Sequence, residues 1–358
     1  MSGLIRAVID TRALRHNLEV IRQRAGRARI MAVVKANAYG HGLVPTAQAL
    51  AAADAFAVAR LEEGLALRSA GVVKPVVLLE GVFSVEQLEE AAAHRLDLVV
   101  HDALQIELLE RARNAQRFVV WVKIDTGMNR LGFAPGQFPA ALARLRALSP
   151  AAQHIRLMTH LACANERDDG VTRAQLERFR KAIQGLEFDT SIANSAAVFG
   201  ALPVECDWVR PGLALYGASP FADCLAGDLG LEPAMTLITS VIALRRVLRG
   251  ETVGYGAAWV APRDCAIAIV AAGYGDGVHR SLASGTTVLV DGQRAPLAGR
   301  VSMDMLAVDV SGLEGVAVGT PVVLWGRGLP VEVLARRAGT IAYELLCSVS
   351  QRVPLELR

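Results

Sequence analysis

The stretch Ile30–Gly42, IMAVVKANAYGHG, decides how the rest of this 358-residue chain is read. It opens with an unbroken apolar run, Ile30 to Val34. Such a run suits a strand buried on both faces of a parallel sheet better than one face of a surface helix. The run ends on Lys35, followed by small and turn-forming residues from Ala36 to Gly42 that let the backbone approach a ligand closely. A lysine at the carboxyl end of a buried strand is a candidate for Schiff-base chemistry. Burial disfavours the charged form and lowers the pKa from about 10.4, and the free amine is the nucleophile that condenses with an aldehyde.

Outward from this stretch, strand-like and helix-like segments alternate every twenty to thirty residues or so, as far as about Gly217. Further strands are expected at Arg6–Ile9, Ala55–Val58, Val76–Leu79, Leu98–Val100, Phe118–Ile124, Ile155–Thr159, Ser191–Ala193 and Trp208–Val209. Asp10 is placed to cap a helix carrying Leu14, Leu18 and Ile21, and Ser84 with Gln87 has the capping-box spacing. Helices are also expected at Val44–Ala52, Leu61–Ala70 with Gly71 at its end, Ile106–Arg113, Phe138–Leu148 and Arg173–Ile183. About eight βα units fit, and no GxGxxG follows the first strand. The fold class expected is therefore α/β, a TIM-type (β/α)8 barrel over 1–230, in preference to an open doubly wound sheet. From 231 to 358 the pattern becomes β-prone runs between Gly and Pro turns, a mostly β C-terminal domain with which the first strand could pair. Its strands are expected at Met235–Leu248, Ala266–Ala271, Thr287–Val290, Met305–Val310, Pro321–Leu324 and Val353–Leu357, and its helices at Glu332–Ala338 and Ala342–Val349.

Composition narrows the function classes. The net charge is only +3 and the basic residues are scattered among acids, with arginines such as those of Arg111 to Arg117 reading as solvated faces, so no nucleic-acid footprint is present. No apolar run reaches the length of a membrane span, and the N-terminus lacks the pattern of a secretory leader. The five cysteines are dispersed and odd in number, without metal-ligand spacing. They suggest reduced thiols in a cytoplasm and no structural metal.

At the carboxyl ends of the barrel strands, where barrel chemistry sits, stand Lys35, Lys123, His160, Asn194, Ser195 and Arg210. The segments AVVKANAYGHG, VKIDTGMNRLGF, MTHLACAN, IANSAA, VRPGLALYG, TVGYGAAW, GYGDG, RVSMDM and IAYELL follow one another in order across Asp10 to Arg352. Together they resemble the alanine racemase family of pyridoxal-phosphate enzymes, built of a barrel and a β domain. The resemblance implies that Lys35 holds pyridoxal 5'-phosphate as a Schiff base and serves as one of two catalytic bases. Tyr255 matches the second base, and His160 and Arg210 match a hydrogen-bonded chain behind it. Arg210 also matches the arginine facing the pyridine nitrogen. A guanidinium only donates, so that nitrogen stays unprotonated and the ring is a weaker electron sink, which favours reprotonation at Cα over transamination.

The same resemblance assigns the cofactor phosphate to Tyr39, Ser195, the amides of Gly212 and Leu213, and Tyr343, with Asn194 beside them. Arg130 matches a residue that binds the cofactor's phenolic oxygen and orients substrate. Lys123 matches a lysine carried by some members as a carbamate, the alternative being an ordinary lysine paired with Asp125. Met303, Asp304 and Tyr274 match residues that meet the substrate carboxylate or line its route in; Asp276 is left as a turn residue. Because the two bases lie on different domains, the resemblance implies a homodimer in which Tyr255 reaches into the partner's barrel. The implied reaction interconverts L- and D-alanine for peptidoglycan synthesis or alanine catabolism. Broader or serine specificity, a fold-related amino-acid decarboxylase, and a non-catalytic pyridoxal-phosphate carrier are the other readings. Arg210 and Tyr255 fit a decarboxylase poorly, and the carriers lack the β domain.

Overall fold

The computed structural model describes residues 4–111, 118–148 and 154–358. Eight parallel strands close into a barrel: β2 (Arg29–Val33), β3 (Ala55–Val58), β4 (Val76–Leu78), β5 (Asp97–Val100), β6 (Val119–Lys123), β7 (His154–Met158), β8 (Thr190–Asn194) and β9 (Trp208–Arg210). Ile30 pairs with Val209 to complete the circle. The strands are apolar on both faces because helices cover the outside and side chains fill the inside. Helix α1 (Thr11–Ala25) shows how local sequence sets these elements. Asp10 accepts from the N–H groups of Arg12 and Ala13 at its start, Leu14, Leu18 and Ile21 turn inward, and Gly26 ends it with φ +60°. The expected helix Ile106–Arg113 is found as Ala103–Arg111; its last residues, and most of the arginine-bearing stretch Arg111–Arg117, lie outside the described residues.

The remaining strand of the N-terminal half, β1 (Arg6–Ile9), does not enter the barrel. It pairs antiparallel with β10 (Met235–Val247) and parallel with β18 (Leu355–Leu357). The C-terminal sheet is filled out by β13 (Cys265–Val270), β14 (Thr287–Val290), β15 (Gln293–Pro296), β16 (Leu306–Asp309) and β17 (Pro321–Trp325). A separate hairpin joins β11 (Thr252–Val253) to β12 (Trp259–Val260). These two-residue strands and β15 were not expected, since runs this short, or carrying Gln and Pro, lack an alternation to detect. Buried Asn17 ties the halves together: its amide donates to the carbonyls of Leu215 and Glu232 and accepts from Glu232 N–H at 2.8 Å.

The amino end of the barrel is plugged by packed aromatic and charged groups. Trp121 and Trp208 meet edge to face with centroids 5.8 Å apart, and the Arg156 guanidinium lies 5.1 Å from each ring. Asp189 receives Arg29 at 2.5 Å and Arg156 at 3.3 Å. Asp97, at the start of β5, is buried there; burial raises its pKa to about 6, against the opposing pull of Arg156. A carboxyl whose folded pKa is raised holds its proton more tightly when folded, so stability is lost as pH rises from the unfolded value of about 3.9 through the folded one. Replacing Asp97 by Asn removes that loss. The stability of Asp97→Asn relative to wild type is expected to improve as pH rises from about 4 to about 6 and to level off above it, measured by urea unfolding. A pH-independent difference over that range contradicts the assignment.

Candidate active site

At the opposite, carboxyl end of the barrel the chain leaves β2 through Val34 and turns with the wrong hand. Ala36, Asn37, Ala38 and Tyr39 have φ of +54, +53, +53 and +52°, a left-handed turn without a single glycine. Each such residue costs roughly 1–2 kcal/mol, so the turn must be held from outside. Several groups do so. Glu63, in the first turn of the helix Leu61–Ser69, accepts from Ala36 N–H at 2.6 Å, and the Asn37 side chain accepts from Leu43 N–H at 2.9 Å. His41 is fully buried with Nδ1 at 2.9 and 3.1 Å from the carbonyls of Tyr39 and Ala38, so Nδ1 carries the proton. Burial lowers the His41 pKa to about 4, which keeps the ring neutral. Gly40 lies so close to the helix Ala342–Ser348 that a Cβ would stand 2.2 Å from the Leu346 carbonyl oxygen.

Tyr216 braces the same turn. Its ring stacks on Tyr39 at 4.7 Å and meets His41 at 4.6 Å, and its hydroxyl donates to the Val33 carbonyl at 2.9 Å. Tyr343 approaches Tyr39 from the C-terminal helix at 5.8 Å. Burial raises the pKa of all three phenols, so they remain protonated donors. Beside Tyr39 lies Ser195, whose Oγ accepts from Gly212 N–H at 2.9 Å and Ala214 N–H at 3.3 Å. Asn194 caps the short helix Ser195–Phe199, accepting from Ala197 N–H at 3.0 Å. Leu213 follows Gly212 and is buried.

Arg210, at the end of β9, is buried and holds four partners. It donates to Ser191 Oγ at 2.6 Å, to the carbonyls of Thr159 at 2.5 Å and Ile192 at 3.4 Å, and lies 3.3 Å from His160 Nδ1. Burial lowers its pKa to about 10, so the guanidinium stays charged at neutral pH. His160 is pushed well below the usual imidazole value by burial and then by the charges of Arg210, Lys123, Arg130 and Lys35. It is therefore neutral, and a donor at Nδ1 leaves its own proton on Nε2. Behind it, buried Gln175 donates to the His160 carbonyl at 3.1 Å and accepts from Ala162 N–H at 2.9 Å. Lys123 is lowered to about 8 by burial and by Arg210 and Arg130. Asp125 gives one carboxylate oxygen to the N–H groups of Gly127, Met128 and Asn129, so it shapes the loop leading to the exposed Arg130.

The remaining expected site residues are on the β domain. Tyr255 sits on the β11–β12 hairpin, 68 % exposed, and Tyr274 and Met303 are exposed as well. Asp276 is the turn residue expected, at the end of the turn Tyr274–Asp276, and a buried anchor as well: it accepts from Gly273 N–H and from Arg352 Nε, both at 2.8 Å. Arg352 reaches on to Asp304 at 2.8 Å, and Gly275 N–H donates to the Met303 carbonyl, so the loops carrying Tyr274, Met303 and Asp304 are one unit. Glu63 and Gln175 carry no motif, and His41 and Tyr216, though inside the quoted segments, had no role assigned from the sequence. Only Glu63 left a trace, as an acid in the third position of a helix.

A closed parallel barrel with an amine at the end of one strand, a buried guanidinium at the end of another and a donor-rich cradle at the same mouth defines an enzyme of lysine-centred barrel chemistry. The family patterns for the alanine racemase N-terminal domain and C-terminal domain match residues 9–220 and 234–357. Alanine racemase of Nitrosococcus oceani is 53% identical over 97% of this chain and 98% of that protein. The biosynthetic alanine racemase of Pseudomonas aeruginosa superposes with a TM-score of 0.96 at 47% identity, covering 100% of both chains. Alanine racemase of Bacillus anthracis, solved with bound L-Ala-P, superposes with a TM-score of 0.87 at 30% identity over 100% of this chain and 96% of that one. The chain belongs to the alanine racemase family and is a racemase, an isomerase of a family that depends on pyridoxal phosphate.

The cradle has a sharp steric requirement. A Cβ on Gly212 would stand 2.5 Å from the Tyr39 hydroxyl and 3.1 Å from its ring carbon. Gly212→Ala is therefore expected to displace Tyr39, lowering stability by about 1–3 kcal/mol in urea unfolding. A difference below about 0.5 kcal/mol contradicts this packing.

Proposed function

We propose that the chain interconverts L- and D-alanine by moving the Cα proton between two bases, Lys35 Nζ on one face and Tyr255 Oη on the other. The observation that supports this most strongly is the convergence of an amine, a buried guanidinium and a ring of hydroxyl and amide donors at one end of one barrel. These residues fit pyridoxal 5'-phosphate. Tyr39, Ser195, Tyr343 and the amides of Gly212 and Leu213 suit a phosphate: Gly212 keeps the space beside Tyr39 clear, Ser195 has its own hydroxyl proton to donate, and the Gly212 N–H that now donates to Ser195 Oγ would pass to the phosphate. Asn194 steadies Ser195 through the helix it caps. When bound, the cofactor supplies an aldehyde that reacts with amines and a ring that accepts the negative charge left on Cα.

The protein's own groups divide the remaining work. Lys35 anchors the cofactor and exchanges the proton on its face. Arg210 would donate to the ring nitrogen of the bound cofactor, which would keep that nitrogen unprotonated and favour return of the proton to Cα. His160, with Nδ1 turned to Arg210, offers Nε2–H to the Tyr255 oxygen and helps it act as a base. Arg130 holds the cofactor's phenolic oxygen and orients the substrate. A carbamate on Lys123 belongs to the same reading: near its pKa of about 8 part of the amine is neutral, the form that takes up carbon dioxide, and the resulting anion gives Arg130 an acceptor. Met303 and Asp304 belong to the region that meets the substrate carboxylate and lines its route in, and Tyr274 lines that route.

The exposed side chains Tyr255, Tyr274, Met303 and Met305 support a homodimer in which Tyr255 serves the partner's barrel. A cytoplasmic setting fits the five unpaired cysteines. The product supplies peptidoglycan synthesis, or the reverse reaction feeds alanine catabolism. Mixing inactive Lys35→Ala and Tyr255→Phe proteins tests the shared site: subunit exchange is expected to restore activity through hybrid dimers with one intact site, at most about a quarter of the wild-type level for random mixing. Verified exchange without recovery contradicts it.

A further inference from the structure

We infer that Glu63 is a positioning residue for Lys35, fixing the direction from which its amine meets the reacting carbon; the inference rests on the reading of Lys35 as a base. The Glu63 carboxylate is divided between two tasks. Oε2 closes the start of its own helix, accepting from Ala59 N–H at 2.9 Å and Arg60 N–H at 3.2 Å. That task alone would leave Oε1 to water. Instead Oε1 accepts at 2.6 Å from Ala36 N–H, the amide immediately after Lys35. A charged acceptor makes a shorter and stronger bond than a neutral one.

The place of that bond gives it leverage. The bonds internal to the left-handed turn begin at Ala38 N–H to the Val34 carbonyl, 2.9 Å, and Gly40 N–H to the Ala36 carbonyl, 3.1 Å. Ala36 N–H is left to Glu63. Because the peptide unit joining Lys35 to Ala36 is planar, holding its N–H sets the orientation of the whole unit and with it ψ of Lys35. The side chain then leaves a fixed Cα. Glu63 is itself anchored, since the strand that leads into its helix, β3, pairs with β2 through Met31 with Ala55 and Val33 with Ala57. The clamp thus refers the lysine to the neighbouring barrel strand rather than to solvent.

Two variants of the full-length protein separate this role from simple helix capping. Glu63→Asp keeps a capping carboxylate but is one methylene too short to serve Ala36 as well. Glu63→Gln keeps one acceptor oxygen and puts a donor in place of the other. Both are to be studied with and without pyridoxal phosphate, by amide exchange over residues 35–42, by the rate of Schiff-base formation in absorbance, and by kcat and KM for both alanine enantiomers. Amide exchange at Ala36 in the cofactor-free variants is expected to quicken at least about tenfold. Schiff-base formation and kcat are expected to fall about ten- to a hundredfold, with KM within about threefold, at a temperature where both variants remain folded. Wild-type rates in both variants, with only the melting temperature changed, would reduce Glu63 to a helix cap and overturn the inference. Lys35→Ala run alongside locates a failure: full activity there would overturn the base assignment itself, whereas its loss beside unaffected Glu63 variants would overturn only the role of Glu63.

Discussion

The structure depends on a turn of the wrong hand. Four non-glycine residues after Lys35 occupy the left-handed region, a conformation that costs free energy at each residue. What offsets it comes from every side: a carboxylate from the helix after β3, a buried neutral histidine within the turn, the Tyr216 ring from the loop after β9, and a close backbone approach from the C-terminal helix. Strain of this kind persists only where the surroundings over-determine it, and such places are commonly active sites. Here the over-determination has a visible product, a lysine presented from a rigid barrel mouth.

Electrostatics around that lysine follow from the same packing. Arg210 is buried yet stays charged because hydroxyl and carbonyl oxygens surround it, and its charge joins with burial to hold His160 neutral. Neutral His160 with an accepting Nδ1 has its proton on Nε2, so a hydrogen-bond direction is set by a residue on a different strand. Lys123 responds to the same crowd of positive groups. Tyr255 stands on an exposed hairpin of the other domain.

Much of this was legible in the residues. The apolar runs ending in Lys35, Lys123 and Arg210 are barrel strands, and the Asp10 cap, Gly71 and the β-prone runs after Met235 lie where their local chemistry places them. The hand of the turn was not legible, because Ala36, Asn37 and Ala38 carry no glycine to announce positive φ and their conformation is imposed by groups distant in the chain. For the same reason nothing local singled out Glu63 in its helix, or showed that the turn residue Asp276 is also an anchor, because each has a partner far away: Ala36 for one, Arg352 for the other. Local propensity fixes elements; the bonds that aim side chains are long-range.

The central claim is that two bases on opposite faces share one proton transfer, and isotope tracing in deuterium oxide tests it most directly. With separate bases, alanine of inverted configuration formed at low conversion carries deuterium at Cα while the remaining substrate keeps its proton. Inverted product that retains the substrate's own proton would mean that a single base serves both faces, and would contradict the account.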